Sequence, residues 1–285
     1  ADYVERQSGL CELALHNFPL LGLGHIRIHN RDGISYLQEM LPVDCLFLDP
    51  ARRDGHGGKT VAISDCEPDV TVLEPLLVDK AKKVMVKLSP MLDLSLALNE
   101  LKTVRAVHIV AVNNECKELL LILQKESVSS EVSIHCEHIA GNGESRHYTF
   151  TLKQEKTSPC LLADEVGTYL YEPNAAILKA GAFRSLTQTY PVAKLHLNSH
   201  LYTSVSLVPD FPGRRFRVEA VSGFGKKELK AFLMDMDKAN ITIRNFPLSV
   251  AELRKRLKLK EGGDDYIFAT TLSGGQKVLI RGKKC

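Results

Sequence analysis

Three carboxylates stand directly beyond three short apolar runs in the first fifth of this 285-residue chain: Glu5 after Asp2–Val4, Asp32 after His25–His29 and Asp49 after Cys45–Leu48. If the runs are parallel strands, these residues lie at strand carboxyl ends, where ligands bind in open α/β sheets. A carboxylate there can accept both hydroxyls of a ribose, a role that Glu5 fits. Asp32 opens an Asp32-Gly33 turn and can accept from an adenine amino group, with the missing Cβ of Gly33 allowing the base to approach closely. Each carboxylate alone is also what a solvated strand end or helix cap looks like; the spaced set is what points to a nucleoside cofactor.

The third carboxylate opens Asp49-Pro50-Ala51-Arg52-Arg53-Asp54, straight after the apolar Leu46-Phe47-Leu48. Pro50 has a fixed φ and no N–H, so the strand must end there and Asp49 is held at its tip. Other chemical signals are weaker. Gly55-His56-Gly57-Gly58-Lys59-Thr60 mimics a phosphate loop, but Arg53 stands where its first glycine belongs. His196 and His200 sit four apart in a strand-like stretch without a third ligand, and His135-Cys136-Glu137-His138 alternates across a strand, where only Cys136 and His138 are read as able to converge, so no metal site is expected. The seven cysteines are odd in number and contain no CxxC pair, which reads as reduced core thiols.

The elements that would position these groups follow from hydrophobic period. Strand candidates at 2–4, 25–29, 45–48, 83–88 and 106–112 alternate with helically spaced leucines such as Leu10-Leu13, Ile34-Leu37-Leu41 and Leu92-Leu96. That alternation is the signature of βα units and a mostly parallel sheet. From 119 to 152 strand follows strand, with Gly141-Asn142-Gly143 as a turn, predicting an antiparallel edge. A linker is expected near 154–165, then a helix over 173–186 opened by Pro173. The remainder reads strand 215–221, helix 226–236, strand 241–245, helix 249–257 and strands 266–271 and 276–281, a compact α+β module. Ser249 and Glu252 form a capping box at the second of these helices.

Composition sets outer bounds. With 44% hydrophobic and 25% charged residues, the chain is globular and long enough for two cores. It has no apolar run of membrane-spanning length and no signal-peptide pattern, so a cytoplasmic protein without a membrane partner is expected. The net charge of +3 hides a segregation: residues 213–285 carry 17 Lys/Arg against 8 Asp/Glu, leaving 20 against 26 for the rest. Arg214, Arg215, Lys226, Lys227, Arg254, Lys255 and Arg256 are the candidates for gripping phosphates, against the plainer reading of a solvated basic face.

Taken together, Tyr3-Val4-Glu5-Arg6-Gln7, Cys11-Glu12-Leu13-Ala14, His16-Asn17-Phe18, Asp32-Gly33 and Asp49-Pro50-Ala51-Arg52-Arg53 resemble the class I S-adenosylmethionine-dependent methyltransferases, in the bacterial branch with a THUMP-like C-terminal domain. Lys87-Leu88-Ser89-Pro90-Met91-Leu92-Asp93, Glu115-Cys116-Lys117-Glu118-Leu119 and Arg244-Asn245-Phe246-Pro247-Leu248 extend the likeness over nearly the whole chain. The resemblance implies that Glu5 holds the ribose of S-adenosylmethionine, that Asp32 with Gly33 holds its adenine, and that Asp49, Pro50 and Arg52 face the methyl acceptor. It departs from the amino-methylating enzymes in having Arg52 where they carry a stacking aromatic, and from the uracil-C5 enzymes in having Ser89 where a cysteine nucleophile would follow. The glycine-rich turn after the family's first strand has no counterpart, from which the chain is expected to be part of a longer product. The expected architecture is a Rossmann-like sheet, mostly parallel with an antiparallel edge and its first strand absent, over 1–155, then a linker helix and α+β THUMP-like domain over 156–285. The expected activity is methyl transfer from S-adenosylmethionine to RNA; the alternative is a non-catalytic RNA-binding protein that retains the fold.

Overall fold

In a computed structural model the chain divides into two compact units, Ala1–Val107 with Glu118–Val132, and His108–Lys117 with Ser133–Cys285. The structure describes residues 1–52, 62–125 and 131–285. The phosphate-loop mimic at 55–60 lies outside the described residues.

The first unit is built from βα repeats. Strand β1 (Asp2–Glu5) leads into helix α1 (Ser8–Leu20) and pairs in parallel with β2 (Arg27–Asn30), Glu5 opposite Asn30. Helix α2 (Gly33–Glu39) follows, and β3 (Val43–Leu48) ends one residue before Asp49, as Pro50 requires. A two-residue strand β4 (Ala51–Arg52) pairs antiparallel with β5 (Cys66–Glu67), placing Ala51 opposite Glu67. After helix α3 (Val70–Lys80), strand β6 (Ala81–Leu88) pairs in parallel with β3, and helix α4 (Leu94–Glu100) follows. Each of α2, α3 and α4 starts where sequence chemistry says it should: Asp32, Asp69 and Asp93 accept N–H bonds from Ser35, Thr71 and Leu96 at 2.8, 2.9 and 3.0 Å.

Strand β6 buries Ala81, Val84, Val86 and Leu88 against the inward residues Leu77 and Val78 of α3, each fully buried large side chain contributing about 1.5–3 kcal/mol. Strands β7 (Val104–Val112) and β8 (Glu115–Leu123) are each shared between the two units. Within the first unit β8 runs antiparallel to β6, with Leu88 opposite Leu119 and Val84 opposite Leu123. The buried carboxylate of Glu74 on α3 accepts from the backbone N–H groups of Lys102 and Thr103 at 2.7 and 2.6 Å and from the Thr103 hydroxyl, fixing the start of β7 to the helix.

The second unit contains the antiparallel pair β9 (Ser133–Ile139) and β10 (Ser145–Thr151), joined through the expected glycine turn, where Gly143 takes φ 86°. Helix α5 (Leu152–Thr157) leads to β11 (Tyr169–Pro173), α6 (Ala175–Ala180), α7 (Ser185–Thr189), β12 (Ala193–Lys194) and β13 (Tyr202–Ser204). The single helix expected over 173–186 is therefore wrong. Pro173 closes a strand, Asn174 caps α6 through Ile177 N–H, and Gly181 at φ 74° ends it, so a second short helix starts afresh. The stretch 196–200 is a turn rather than a strand, with His200 at φ 51°.

The rest of the unit follows the expected module: β14 (Gly213–Ser222), α8 (Lys226–Phe232), β15 (Asn240–Arg244), α9 (Val250–Leu257), β16 (Asp265–Thr271) and β17 (Lys277–Lys284). Its sheet has the order β12-β13-β11-β14-β17-β16-β15, with only β15 and β16 parallel, around the α9 crossover. Two buried clusters occupy its two faces. Leu195, Leu201, Phe216, Phe268, Val278 and Ile280 fill one; Phe232, Leu253 and Leu257 from α8 and α9 pack on Ile267, Ala269 and Leu279 at the other.

Candidate functional site

The carboxyl ends of β1 and β2 bring Glu5 and Asp32 to one edge of the first unit. Parallel pairing sets Glu5 beside Asn30, whose amide Nδ2 donates to the backbone carbonyls of Glu5 and Arg6 at 3.0 and 3.1 Å. The Glu5 carboxylate accepts from Gln7 N–H at 2.7 Å through Oε1 alone, so its second oxygen has no partner among the described residues. Asp32 caps α2, accepting from both the N–H and the hydroxyl of Ser35, and those bonds hold its carboxyl below the usual range. Gly33 is the first residue of that helix, and a Cβ there would meet nothing within 4 Å, so the space beside it is open. Next to it Ile34 contributes to an open hollow lined also by Glu67, Pro68, Asp69, Val72 and Leu73.

Asp49 is tied to the same region from the other side. Arg6, directly after Glu5, pairs with Glu67 at 3.0 Å, and Glu67 lies opposite Ala51 in the β4–β5 ladder. Two residues back along the chain, past the buried Pro50, Asp49 is half-exposed and accepts from Lys87 Nζ at 2.6 Å. Lys87 stands at the carboxyl end of β6, the parallel neighbour of β3, and Glu118 of β8 lies 3.9 Å from its ammonium. The bond to Asp49 pushes the Lys87 pKa up, so the lysine stays charged. Arg52 lies within β4.

Sequence reasoning missed Lys87, Glu67 and Glu118 as members of this cluster. Lys87 left a signal, a lone cation at the tip of a strand whose other late residues are Val84, Met85, Val86 and Leu88. Glu67 left none, because its partner Arg6 is 61 residues away in the chain.

The seven basic candidates of the second unit do not form one patch of free cations. Arg214 is taken up by Glu172, a carboxylate whose side chain is only 3% exposed, and Arg244 reaches the same carboxylate at 2.8 Å. Arg215 donates to the Pro209 carbonyl, Arg254 to the Ala239 carbonyl at 3.1 Å, and Arg256 lies over the Phe224 ring at 5.3 Å. Lys226, Lys227 and Lys255 are exposed without an ion-pair partner among the described residues.

Among the described residues no group of three or more His, Cys, Asp or Glu is placed to hold a metal, and no helix is long and apolar enough to cross a membrane. His138 accepts from Asn114 N–H at 3.1 Å, and Cys136 is buried, which pushes its thiol pKa up. His196 accepts from Asn198 N–H and contacts Asn245 at 3.0 Å, while His200 stacks on Phe183. These residues are structural in their contacts.

A first unit of βα repeats with carboxylates gathered at strand carboxyl ends, joined to an α+β module, defines an α/β protein of Rossmann-like build. Comparison with known proteins gives that class a family. Residues 169–212 match a family described as a ferredoxin-like domain, and residues 213–284 match one described as THUMP domain-like. A crystal structure titled "putative methyltransferase" from Porphyromonas gingivalis W83 superposes at a TM-score of 0.89 with 36% identity, covering 100% of this chain and 71% of that one. No curated protein matches this chain. At that identity and coverage, the chain belongs to this family of methyltransferases with a THUMP-like C-terminal domain.

Proposed function

We propose that the protein transfers a methyl group from S-adenosylmethionine to RNA, with the cofactor held at the β1–β2 edge and the acceptor facing Asp49. The observation that carries this reading is the convergence of Glu5, Asp32 and Asp49 at strand carboxyl ends, linked through the Arg6–Glu67 pair. The residues suit the cofactor on two counts. Glu5 has a carboxylate oxygen without a partner among the described residues for a ribose hydroxyl, and the hollow beside Asp32 and Gly33 offers Ile34, Pro68, Val72 and Leu73 to a flat base. The methyltransferase part would be 1–155, and 156–285 would present the RNA.

When bound, S-adenosylmethionine supplies a methyl group on a sulfonium, a good leaving group, so the protein need do little acid–base work. Asp49, oriented by Lys87, accepts a hydrogen bond from the acceptor group and lines it up for attack. Arg52, three residues on, is the candidate for positioning a phosphate or base. Lys87 acts through Asp49 and is a positioning residue.

The test is transfer of labelled methyl groups from S-adenosylmethionine to RNA. Asp49→Asn should lower turnover by about 10²–10⁴ with cofactor affinity within a few-fold, and Glu5→Ala should weaken cofactor binding first. Full turnover by Asp49→Asn would overturn the acceptor-site assignment. RNA binding by the wild type without any methyl transfer would overturn the activity and leave a binding protein.

A further inference from the structure

Six buried side-chain polar atoms have no partner among the described residues, among them Arg244 Nε, Thr270 Oγ1 and His200 Nδ1. Arg244 and Thr270 are opposite each other in the parallel β15–β16 ladder, both at the carboxyl ends of their strands. His200, in the turn before β13, is close enough to Arg244 and Lys194 that their charges add to burial in holding its imidazole neutral. Lys194 is itself 2% exposed; its ammonium donates to the Leu197 carbonyl at 2.7 Å and lies over the Phe183 ring, with no carboxylate within ion-pairing distance among the described residues.

Lys194, Arg214 and Arg244 bring three cations to this corner; Glu172 holds both arginines, and Glu155 acts on Lys194 through its charge without an ion pair. Arg244 Nε, the Thr270 hydroxyl and His200 Nδ1 are left with hydrogen bonds unmade among the described residues, which is costly for buried groups. An anion with several acceptor oxygens would satisfy them together. A carboxylate offers two oxygens, whereas a guanidinium N–H, a hydroxyl, an imidazole N–H and an ammonium arriving from β15, β16, the 196–200 turn and β12 suit a tetrahedral anion better. The location agrees, since the carboxyl ends of parallel strands flanking a βαβ crossover are where anionic ligands bind.

We propose that Arg244, Thr270, His200 and Lys194 form a phosphate-binding site in the second unit. The bound group is a phosphate, either free or carried by a nucleic acid strand. The site is built wholly from residues of the second unit and does not depend on the methyl-transfer reading.

The experiment is calorimetric titration and thermal unfolding of the full chain with inorganic phosphate, against sodium chloride of equal ionic strength. Saturable binding and a phosphate-dependent rise in unfolding temperature are expected. Thr270→Val keeps the shape of a side chain whose hydroxyl has no partner among the described residues, so it should fold with an unfolding temperature in chloride equal to or above that of the wild type. It should bind phosphate about tenfold more weakly, and His200→Gln should weaken binding similarly. Displacement of phosphate by a single-stranded RNA supports the site and assigns its ligand to the strand; saturable binding that RNA does not displace supports it and assigns a free phosphate. Absence of any phosphate-specific shift, or equal affinity in wild type and both variants, overturns the site. So does a Thr270→Val variant that is destabilised in chloride yet binds phosphate normally, because the hydroxyl then serves packing alone.

Discussion

At the scale of single residues, the acidic side chains of this protein divide by what holds them. Asp32 and Glu5 use at least one oxygen to order their own loops, which is the ordinary duty of a carboxylate at a helix start or strand end. Asp49 is held by a lysine from a different strand, which is how a group is aimed rather than how a loop is finished. His200 makes a test of the second unit. Burial, then the nearby charges of Lys194 and Arg244, lower its pKa from 6.5 to about 4. Between those values the unfolded chain binds more protons than the folded one, so the stability from keeping this histidine neutral is complete above pH 6.5 and is lost as the pH falls toward 4. The loss is at most about 3 kcal/mol. Denaturant unfolding of wild type and His200→Gln across that range should show a steeper decline for the wild type; parallel curves would mean the histidine is as well solvated folded as unfolded.

At the scale of elements, the βα alternation, the glycine hairpin, the Ser249 capping box and the closing module were all legible, because each is written in local chemistry. Hydrophobic period named the strands, and Asp32, Ser249 and Gly143 marked where helices and turns begin. What failed was the stretch 173–186. There proline opens a helix in the sequence code but ends a strand in the fold, since Leu170, Tyr171 and Glu172 are buried between β13 and β14 and tertiary pairing overrides the local cue. Of the candidate site, the three carboxylates were legible and Glu67 was not, because its partner Arg6 comes from far along the chain. The junction of β11 and β14 offers a sharp test. A Cβ added at Gly213 would sit 2.0 Å from the Glu172 carbonyl oxygen and 2.8 Å from the Pro173 Cα, both backbone atoms with nowhere to go. Gly213→Ala should therefore cost more than about 3 kcal/mol in chemical denaturation; a loss below about 1 kcal/mol would show that the two strands can part without penalty.

At the scale of the whole molecule, charge is segregated along the chain, and the structure decides which of the basic residues can use it. Arg214, Arg254 and Arg256 are committed to Glu172, to a backbone carbonyl and to an aromatic ring, so Lys226, Lys227 and Lys255 are the better candidates for holding phosphates. If RNA lies along them, log affinity should fall linearly with log salt, and replacing all three by glutamine should flatten the slope by about 0.7 for each phosphate of a single strand that is no longer neutralised. An unchanged slope would leave them as a solvated face. The Glu172 triad has a different bearing. Flat sheet geometry would put β11 and β15 about 19 Å apart, four spacings of about 4.8 Å, yet Arg244 at the end of β15 touches Glu172 on β11, so the sheet curls enough for that ion pair to close across it. The two family segments, 169–212 and 213–284, supply opposite sides of that closure. Neither segment alone could pass between genes as a self-sufficient part: the first would carry a sunken carboxylate stripped of both its cations, and the second a raw strand edge along β14. The line between the two matched segments runs through one sheet, and they are expected to unfold together.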